Sequence, residues 1–559
     1  MPTTPSAETR LQELQQALQQ REQLLGRIPG VVKAQVGYRT RDGRLTDELA
    51  ILVTVMRKRP PSALAPGEEA AQVLAGLPVD VVQASIAEQL AFVEQPAQLA
   101  GPTSLIAPPP WETPLPADPL SFMDGDNYVP PDDIKLAEVD KKMSVLCHVS
   151  PDAGWPNLKK FIESIEKRLT LAMYDLSAPH IVRRLGSHIK SIRGQLHCIV
   201  DPSDTKNGKF DELEETDAIE RLDRAIAKFD LVWASVKKNG SLFNTAYHTK
   251  VAVADGKRFW LSSGNWQHSN QPEISPLTKP ADVPEMKKRN REWHVIVDHQ
   301  GLADMFERFI EYDRRQSKPF DNIPKKLRQV DLFVAADSIL ESFAAAPRKV
   351  FEPLRVEKKL RVQPLLTPDN FLDHIIPLIE SAKKKLYIQN QYFWIQTAAT
   401  GPVPFRKLAD AITKRLEDDV DVRMIFREPD FGDSDGKVKA MLQTFQHRGF
   451  KIGEHVKLMP KTHTKGVIVD SNSVALGSHN WSPVGTLHNR DATLIFHDAP
   501  EIAQYYERVF LHDWGVLAKD VMPTELFAPL VAGDDEEPPP GMRRITLSFT
   551  EGDDGPQYS

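Results

Sequence analysis

Hydrophobic and polar positions along the chain follow one order of elements twice. Residues 143–177 indicate a strand, the tripeptide Ser150-Pro151-Asp152, a helix and another strand. Residues 360–394 give the same order around Thr367-Pro368-Asp369. Strand-like apolar runs that alternate with amphipathic helical segments predict a parallel or mixed sheet with helices on both faces. We therefore predict an α/β fold that contains a duplicated unit.

Residues 1–94 have a different pattern, which predicts a small α+β module. Leu11, Leu14 and Leu18 share a helical spacing. Residues 31–57 contain two strand-like runs on either side of Arg41-Asp42-Gly43-Arg44, which predicts a hairpin. A further strand and helix follow within this module. We expect such an appendage to bind an unknown partner or to serve regulation or assembly.

Changes in composition divide the rest of the chain. Residues 95–134 are rich in proline, which disfavours regular helix, and predict an extended linker. The duplicated units then occupy residues 135–345 and 346–530. Acidic clusters and prolines in residues 531–559 predict a disordered tail.

Length, charge and cysteine content limit the class of protein. The 559 residues exceed one ordinary domain, and the two cysteines lie in apolar runs that indicate buried thiols. No apolar run is long enough to span a bilayer, and the amino terminus lacks the features of a signal peptide. We therefore expect a soluble, cytoplasmic protein. The formal net charge of −7 argues against a protein that coats nucleic acid.

Two distant segments carry the same motif: a His-Thr-Lys tripeptide, an Asp after four more residues, and a Ser/Asn element after six more. Its residues are His248, Lys250, Asp255, Ser263 and Asn265 in the first copy, and His463, Lys465, Asp470, Ser478 and Asn480 in the second. An Asn-Arg-acid tripeptide follows each copy and ends at Glu292 or Asp491. A single motif could arise by accident, but two copies with matched neighbours are very hard to obtain that way. We therefore predict two half-sites of one catalytic site.

These residue types suit the cleavage of a phosphodiester. Side chains two apart on a strand share a face, so each His and its Lys should point into one site, whereas Asp255 and Asp470, at odd spacing, should support the strand or loop. The lysines supply positive charge, and the Ser hydroxyls and Asn amides donate hydrogen bonds to phosphate. One His attacks phosphorus, and the other protonates the leaving alkoxide and then deprotonates water or an alcohol. We favour His248 as nucleophile and the second His as acid/base, with Glu292 and Asp491 fixing a His tautomer.

The double motif resembles that of the phospholipase D superfamily, also called the HKD superfamily. The second copy, HTKGVIVD followed by GSHN, matches the family pattern, and the first, HTKVAVAD followed by SSGN, departs at Ser262, where the family usually has Gly. The resemblance implies two duplicated α/β sandwich domains about a pseudo-two-fold axis, with the site at their seam. It also implies a covalent phosphohistidine intermediate and no metal or other cofactor. The other His and Cys residues show no metal-ligand spacing.

The leading interpretation is an enzyme that hydrolyses a phospholipid phosphodiester at a membrane surface, or transfers the phosphatidyl group to an alcohol. Superfamily members with two motifs in one chain are often lipid enzymes, which is an analogy because fold does not fix substrate. Two alternatives stay open. One is a metal-independent endonuclease acting on DNA or RNA, and the other is a non-catalytic binding scaffold.

Overall fold

The computed structural model is described here for the following residues: 6–64, 69–94, 104–112, 128–202, 213–236, 242–243, 245–318, 327–335, 348–395, 403–428, 436–521, 528–533 and 536–550.

The amino-terminal part forms the small α+β module that its pattern predicts. A three-stranded sheet of order β1-β2-β3 packs against the first helix. Asp42 and Gly43 adopt positive φ values of 50° and 74° in the β1–β2 turn, which suits a tight hairpin. The elements are helix Ala7–Leu25, β1 Val31–Arg41, β2 Arg44–Val55, the 3-10 turn Pro61–Ala63, helix Ala70–Val73, β3 Val79–Gln83 and helix Ile86–Glu94.

The first large unit alternates strands and helices, and Pro179 stands in the first turn of one helix, where its missing N–H is tolerated. The strands are β4 Val139–Ser150, β5 Arg168–Met173, β6 Gln195–Val200, β7 Phe229–Trp233, β8 Lys250–Ala254, β9 Arg258–Ser262 and β10 Glu292–Asp298. The helices are Gly154–Glu163, Pro179–Ser191, Glu215–Ala225, the 3-10 helix Pro280–Lys288 and Gln300–Gln316.

The second large unit follows strand β11, Leu327–Ala335. Its strands are β12 Leu354–Leu366, β13 Lys385–Asn390, β14 Asp421–Arg427, β15 Val456–Met459, β16 Lys465–Val469, β17 Ser473–Gly477 and β18 Ala492–His497. Its helices are Phe371–Glu380, Val403–Glu417, Lys437–His447, Pro483–Leu487, Pro500–His512 and the π-turn Asp513–Leu517. Two further strands, β19 Leu530–Val531 and β20 Met542–Thr550, come after it.

The strand order of the second unit repeats that of the first. The 14-stranded sheet runs β15-β14-β13-β16-β17-β18-β12 and continues as β4-β10-β9-β8-β5-β6-β7. β4 and β12 pair antiparallel at the junction of the two units. From this junction outward, the strands of the two units follow the same order, so both units have the same topology. The predicted α/β class is confirmed, and the repeated order agrees with the predicted duplication.

The core has a shared central part and two outer parts. The central cluster contains side chains from both units, including side chains of the long helices Gln300–Gln316 and Pro500–His512. Trp293 of β10 packs against the backbone of Gly466 in β16, where a Cβ atom would overlap the indole ring. Each outer cluster lies under the helices of one unit, and the outer cluster of the second unit also includes Leu45 of the amino-terminal module. Because apolar surface of both units is buried in one cluster, their separation would expose it to water.

The residues that follow the second unit differ from the expected tail over part of their length. β20 pairs antiparallel with β11, and β19 extends this small sheet. Its side chains pack against Ile86 in the helix of the amino-terminal module. The segment MRRITLSFT alternates apolar and polar residues, which suits a strand, although the neighbouring acidic residues dominate the composition. Residues 551–559 lie outside the described residues.

The amino-terminal module also contacts the second unit directly. The carboxamide of Gln443, on helix Lys437–His447, accepts from Tyr38 N and donates to Tyr38 O, both at 2.6 Å. Trp111, from the proline-rich segment, stacks on His447 with ring centroids 4.3 Å apart. Among the described residues no helix is long and apolar enough to cross a bilayer.

Candidate functional site

Both His-Thr-Lys tripeptides lie at the start of a central strand. β8 begins at Lys250 and β16 at Lys465, so each His precedes its strand by two positions. Each ammonium group donates to the carbonyl oxygen of its own motif His, at 2.7 Å for Lys250 and 2.8 Å for Lys465. All four side chains are buried, with 7% of His248 and 3% of His463 exposed. Both motifs therefore sit in an environment where electrostatic interactions are strong.

The Asn-Arg-acid tripeptide of each unit runs beside the motif of the other unit. Arg291 N donates to Lys461 O at 2.7 Å, and His463 N donates to Arg291 O at 3.1 Å. On the opposite side, Arg490 N donates to Ala246 O at 2.9 Å. These backbone contacts bring both motifs to one seam between the two units.

The two histidines are consequently paired with acids across the seam. His248 Nδ1 lies 2.8 Å from Asp491 Oδ1, and His463 Nδ1 lies 2.8 Å from Glu292 Oε1. Each unit thus contributes one imidazole and the carboxylate that orients the other imidazole. The sequence identified all four residues but not this crossed pairing, because the pairing depends on how the units pack.

The ammonium groups are arranged differently in the two halves of the site. Lys465 Nζ lies 3.0 Å from His463 Nε2 and 3.4 Å from Gln391 Oε1. Lys250 Nζ instead lies 5.1 Å above the ring centroid of Tyr174. The backbone of the two half-sites is matched, but their chemical surroundings are not.

The motif serines bind the acids rather than facing open space. Ser263 Oγ donates to Glu292 Oε2 at 2.5 Å, and Ser478 Oγ donates to Asp491 Oδ1 at 2.6 Å. Since a hydroxyl has one O–H, these contacts use the donor that the sequence interpretation assigned to phosphate. In this structure the serines hold the two carboxylates in place.

The motif asparagines are buried next to the serines. Asn265 Nδ2 donates to Gln267 Oε1 at 3.2 Å. The carboxamide oxygens of Asn265 and Asn480 have no hydrogen-bond partner among the described residues. These two oxygens are therefore unused hydrogen-bond acceptors, as is Oδ2 of Asp491.

The motif aspartates lie at the far end of their strands, in a left-handed turn conformation. Asp255, at φ 56°, accepts hydrogen bonds of 2.8 Å from the backbone N–H groups of residues 166, 167 and 168. Asp470, at φ 52°, accepts them from residues 383, 384 and 385 at 2.7–2.9 Å. Each carboxylate fixes the loop that leads into the adjacent strand, β5 or β13.

Two buried arginines form ion pairs across the seam. The sequence interpretation did not single them out. Arg291 Nε donates to Asp513 Oδ2 at 3.0 Å, and Arg490 Nε donates to Asp313 Oδ2 at 2.8 Å. Each of these contacts joins one unit to the other. Both guanidinium groups also bind the Asp of their own unit's Pro-Asp dipeptide. The duplicated Asn-Arg-acid and Pro-Asp sequences were the available signal for this role.

The Ser262 departure from the family pattern has a local structural explanation. Ser262 Oγ lies 2.6 Å from His294 Nδ1, and His294 Nε2 lies 2.8 Å from Ser150 Oγ. An imidazole on β10 thus links the end of β9 to the start of the Ser-Pro-Asp tripeptide.

In the second unit the same link is made from a different position in the chain. His479, from the motif's own Ser/Asn element, lies between Thr493 Oγ1, at 2.7 Å, and Thr367 Oγ1, at 2.5 Å. Gly264 stands at the position of His479 in the first unit, where a Cβ atom would meet the Glu292 side chain at 2.6 Å. The linking imidazole thus stands on β10 in the first unit, as His294, and in the Ser/Asn element in the second unit, as His479. Ser262 provides a hydrogen-bond partner for His294, and this contact does not involve the motif His or Lys.

Burial and neighbouring charges separate the pKa values of the two crossed pairs. Desolvation and Lys250 lower the pKa of His248 to about 4. Burial opposes ionisation of Asp491, but the neighbouring His248 outweighs it, so the pKa of Asp491 lies below its ordinary value. Desolvation raises the pKa of Glu292 to about 7 and lowers that of His463 well below its ordinary value. The acid of one pair is therefore ionised at neutral pH, and the acid of the other is partly protonated.

Both lysines are desolvated as well. Burial lowers the pKa of Lys250 to about 7 and that of Lys465 well below the ordinary value. A nearby anion would favour their charged forms. Within the described ranges, no group of three or more His, Cys, Asp and Glu side chains is arranged to hold a metal ion.

The chain is similar in sequence to a protein-family model and in structure to solved proteins that include the three described below. Residues 375–514 match the family described as "Cardiolipin synthase, PLD-like domain". Phosphatidylserine synthase from Haemophilus influenzae Rd KW20 shares 16% identity, with 68% of this chain and 90% of that chain covered and a TM-score of 0.47. No curated protein is significantly similar to this chain in sequence.

Two smaller proteins are similar to part of the chain. Nuc from Salmonella typhimurium, a phospholipase D family member, shares 19% identity over 29% of this chain and 99% of its own, with a TM-score of 0.23. NucT from Helicobacter pylori shares 20% identity over 29% of this chain and 100% of its own, also with a TM-score of 0.23.

Proposed function

We propose, from the phospholipase D-like domain that residues 375–514 carry, that this protein cleaves or exchanges phosphodiester bonds of phospholipids through a phosphohistidine intermediate. The observation that carries the proposal is the pair of crossed His–acid contacts at the seam, His248 with Asp491 and His463 with Glu292, each 2.8 Å long. A site with two oriented imidazoles supports the two proton transfers that such a reaction needs.

The buried lysines supply the charge that a phosphodiester requires. Its oxygens repel a nucleophile unless their negative charge is neutralised, and ammonium groups in a water-excluded site do this strongly. Burial lowers the pKa of both Lys250 and Lys465, and a bound anion would favour their charged forms. We assign the Nδ2 groups of Asn265 and Asn480 as further hydrogen-bond donors to the phosphate, and Ser263 and Ser478 as residues that hold the acids.

In the first step, His248 Nε2 attacks phosphorus. Asp491, ionised and hydrogen-bonded to Nδ1, keeps Nε2 unprotonated and stabilises the positive charge that forms on the ring. The bond from phosphorus to the leaving oxygen breaks, and this oxygen takes a proton from His463. The pKa of Glu292, raised to about 7 by desolvation, supports this direction, because the His463–Glu292 pair then holds a proton near neutral pH.

In the second step, the roles reverse at the second histidine only. His463 removes a proton from water or an alcohol, whose oxygen attacks phosphorus as the bond to His248 Nε2 breaks. Water gives hydrolysis, and an alcohol gives transfer of the phosphatidyl group. Asp255 and Asp470 keep their supporting place in this scheme, since each carboxylate binds three backbone N–H groups away from the imidazoles.

The family description favours a lipid substrate over a nucleic acid. The matched domain is of the cardiolipin synthase type. The formal net charge of −7 is unusual for a protein that binds nucleic acid without sequence preference. We therefore propose a phospholipid presented at a membrane surface as the substrate.

A substrate panel in EDTA tests the proposal. Wild type, His463→Ala and the control His497→Ala, which removes a partly buried His at the distal end of β18, are incubated with phosphatidylglycerol vesicles and with single-stranded DNA. We expect head-group release by wild type and the control, and a loss of about 10³-fold or more in His463→Ala. DNA cleavage without lipid cleavage would favour the nuclease alternative, and no turnover of either would favour a binding scaffold.

A further inference from the structure

Resting on the proposed function, we propose that Arg427 selects the charge of the group that leaves the phosphodiester and of the alcohol that replaces it. The preferred groups carry an anion, such as a second phosphate, and cationic groups such as choline are disfavoured. The two half-sites match in their His, Lys and acid residues, so discrimination between the two ends of a substrate has to come from residues that do not match.

Arg427 occupies the place in the second unit that Asp201 occupies in the first. In the first unit, Lys250 on β8 pairs with Met173 on β5, and Met173 pairs with Val200, the last residue of β6. Asp201 is the residue that follows Val200. In the second unit, the register of β16, β13 and β14 places Arg427 one position beyond the residue level with Lys465. A carboxylate and a guanidinium group therefore stand at corresponding positions on opposite sides of the seam.

Arg427 is fixed next to the second half-site. Its side chain is buried, with 8% exposed, and its backbone N–H donates to Gln391 O at 2.9 Å. Gln391 Oε1 in turn lies 3.4 Å from Lys465 Nζ. Desolvation, the two motif lysines and then Arg427 lower the pKa of His463, so the guanidinium charge acts on the reacting histidine.

The opposite side of the site is acidic. Asp201 accepts a hydrogen bond of 2.6 Å from Tyr247 N, one residue before His248. Burial lowers the pKa of Lys250, and Asp201 and Asp175 are among the carboxylates that oppose this shift. The site is thus polarised, with these carboxylates on the side of His248 and the guanidinium group on the side of His463.

The direction of displacement decides which end of the substrate meets Arg427. An in-line displacement at phosphorus expels the leaving oxygen on the side opposite the attacking nitrogen. With His248 as nucleophile, the leaving group lies on the side of His463, which protonates it, and therefore beside Arg427. The incoming alcohol gives its proton to the same His463, so it enters through the same space and meets the same charge.

The size of the effect follows from the burial of Arg427. A charge-assisted hydrogen bond contributes about 1.5–3 kcal/mol, which corresponds to roughly 10–100-fold in kcat/KM. A cation in the same place is repelled, so we expect at least about a tenfold preference for an anionic over a cationic leaving group.

The test compares three soluble short-chain lipids that share the same diacylglycerol and all release a primary alcohol. They are phosphatidylglycerophosphate, phosphatidylglycerol and phosphatidylcholine, whose leaving groups are anionic, neutral and cationic. Head-group release is measured in EDTA for wild type, Arg427→Gln, Arg427→Asp and the control Arg423→Gln, which lies on the same strand near Trp514, away from the reacting groups. Circular dichroism confirms that each variant is folded.

We expect wild type and Arg423→Gln to favour the anionic leaving group, Arg427→Gln to reduce the preference to within about threefold, and Arg427→Asp to reverse it. Turnover of all three lipids by wild type at equal efficiency would overturn the inference and leave the proposed function standing. The same holds if both Arg427 variants keep the wild-type order. If wild type cleaves none of the three lipids, the proposed lipid function fails, and the inference fails with it.

Discussion

Glu292→Gln and Asp491→Asn remove the two carboxylates of the crossed pairs and should have different consequences. Both acids are fully buried and lie 2.8 Å from a histidine Nδ1. In the proposed mechanism, attack by His248 would place a positive charge on its ring, which Asp491 would stabilise. Departure of the leaving group would require the proton that we assign to the pair of His463 and Glu292. Asp491→Asn should therefore impair formation of the intermediate for every substrate. Glu292→Gln should impair it only for substrates whose leaving group needs a proton.

The magnitudes follow from the buried geometry. Opposite charges about 4 Å apart interact by about 4 kcal/mol at an effective dielectric constant of about 20, so Asp491→Asn should slow the first step by about 10³-fold. Loss of a general acid costs about 10²–10⁴-fold for an alcohol leaving group. For p-nitrophenolate, which leaves without protonation, Glu292→Gln should slow the first step by less than about tenfold.

The assay uses short-chain phosphatidyl-p-nitrophenol and phosphatidylglycerol with rapid mixing. Glu292→Gln should release one equivalent of p-nitrophenolate per enzyme in a fast burst and then turn over slowly, because the second step needs His463 as base. Asp491→Asn should show no burst. The matched control is Glu311→Gln, which breaks another His–carboxylate contact, to His197 at 2.7 Å, outside the site. A burst in Asp491→Asn and none in Glu292→Gln would refute the assignment of His248 as nucleophile.

Further predictions concern pH, the seam and packing. Activity should fall below about pH 4 as His248 gains a proton and above about pH 7 as Glu292 loses one, and a kcat/KM that still rises at about pH 8 would contradict this. Arg490→Met leaves two buried carboxylates without their cation and should lower the free energy of unfolding by about 3–5 kcal/mol in urea titrations. Gly466→Ala forces a methyl group against a buried indole of the other unit and should cost about 1–3 kcal/mol, whereas Gly515→Ala, with open space around it, should cost little; equal midpoints would contradict this.

The sequence was sufficient for features that depend on local spacing. Repeated strand–helix patterns predicted the α/β class and the duplicated order, and paired motifs predicted a site at His248 and His463 with their lysines. The odd spacing of Asp255 from its His predicted a supporting place, and this carboxylate binds three backbone N–H groups in the structure. The strand Met542–Thr550 was missed because its composition is averaged with that of acidic neighbours, and its partner strand, Leu327–Ala335, is distant in the chain.

Packing between the two units decided the rest. Periodicity along a chain reports which face of an element is buried, but it carries no information about which distant segment lies against that face. The crossed contacts of His248 with Asp491 and of His463 with Glu292 exist only because the Asn-Arg-acid segment of each unit crosses the seam. Likewise, only the sheet register shows that Asp201 and Arg427, which carry opposite charges, occupy matching positions in the two units. The sequence identified the motif residues, but which residues pair across the seam is decided by the tertiary structure.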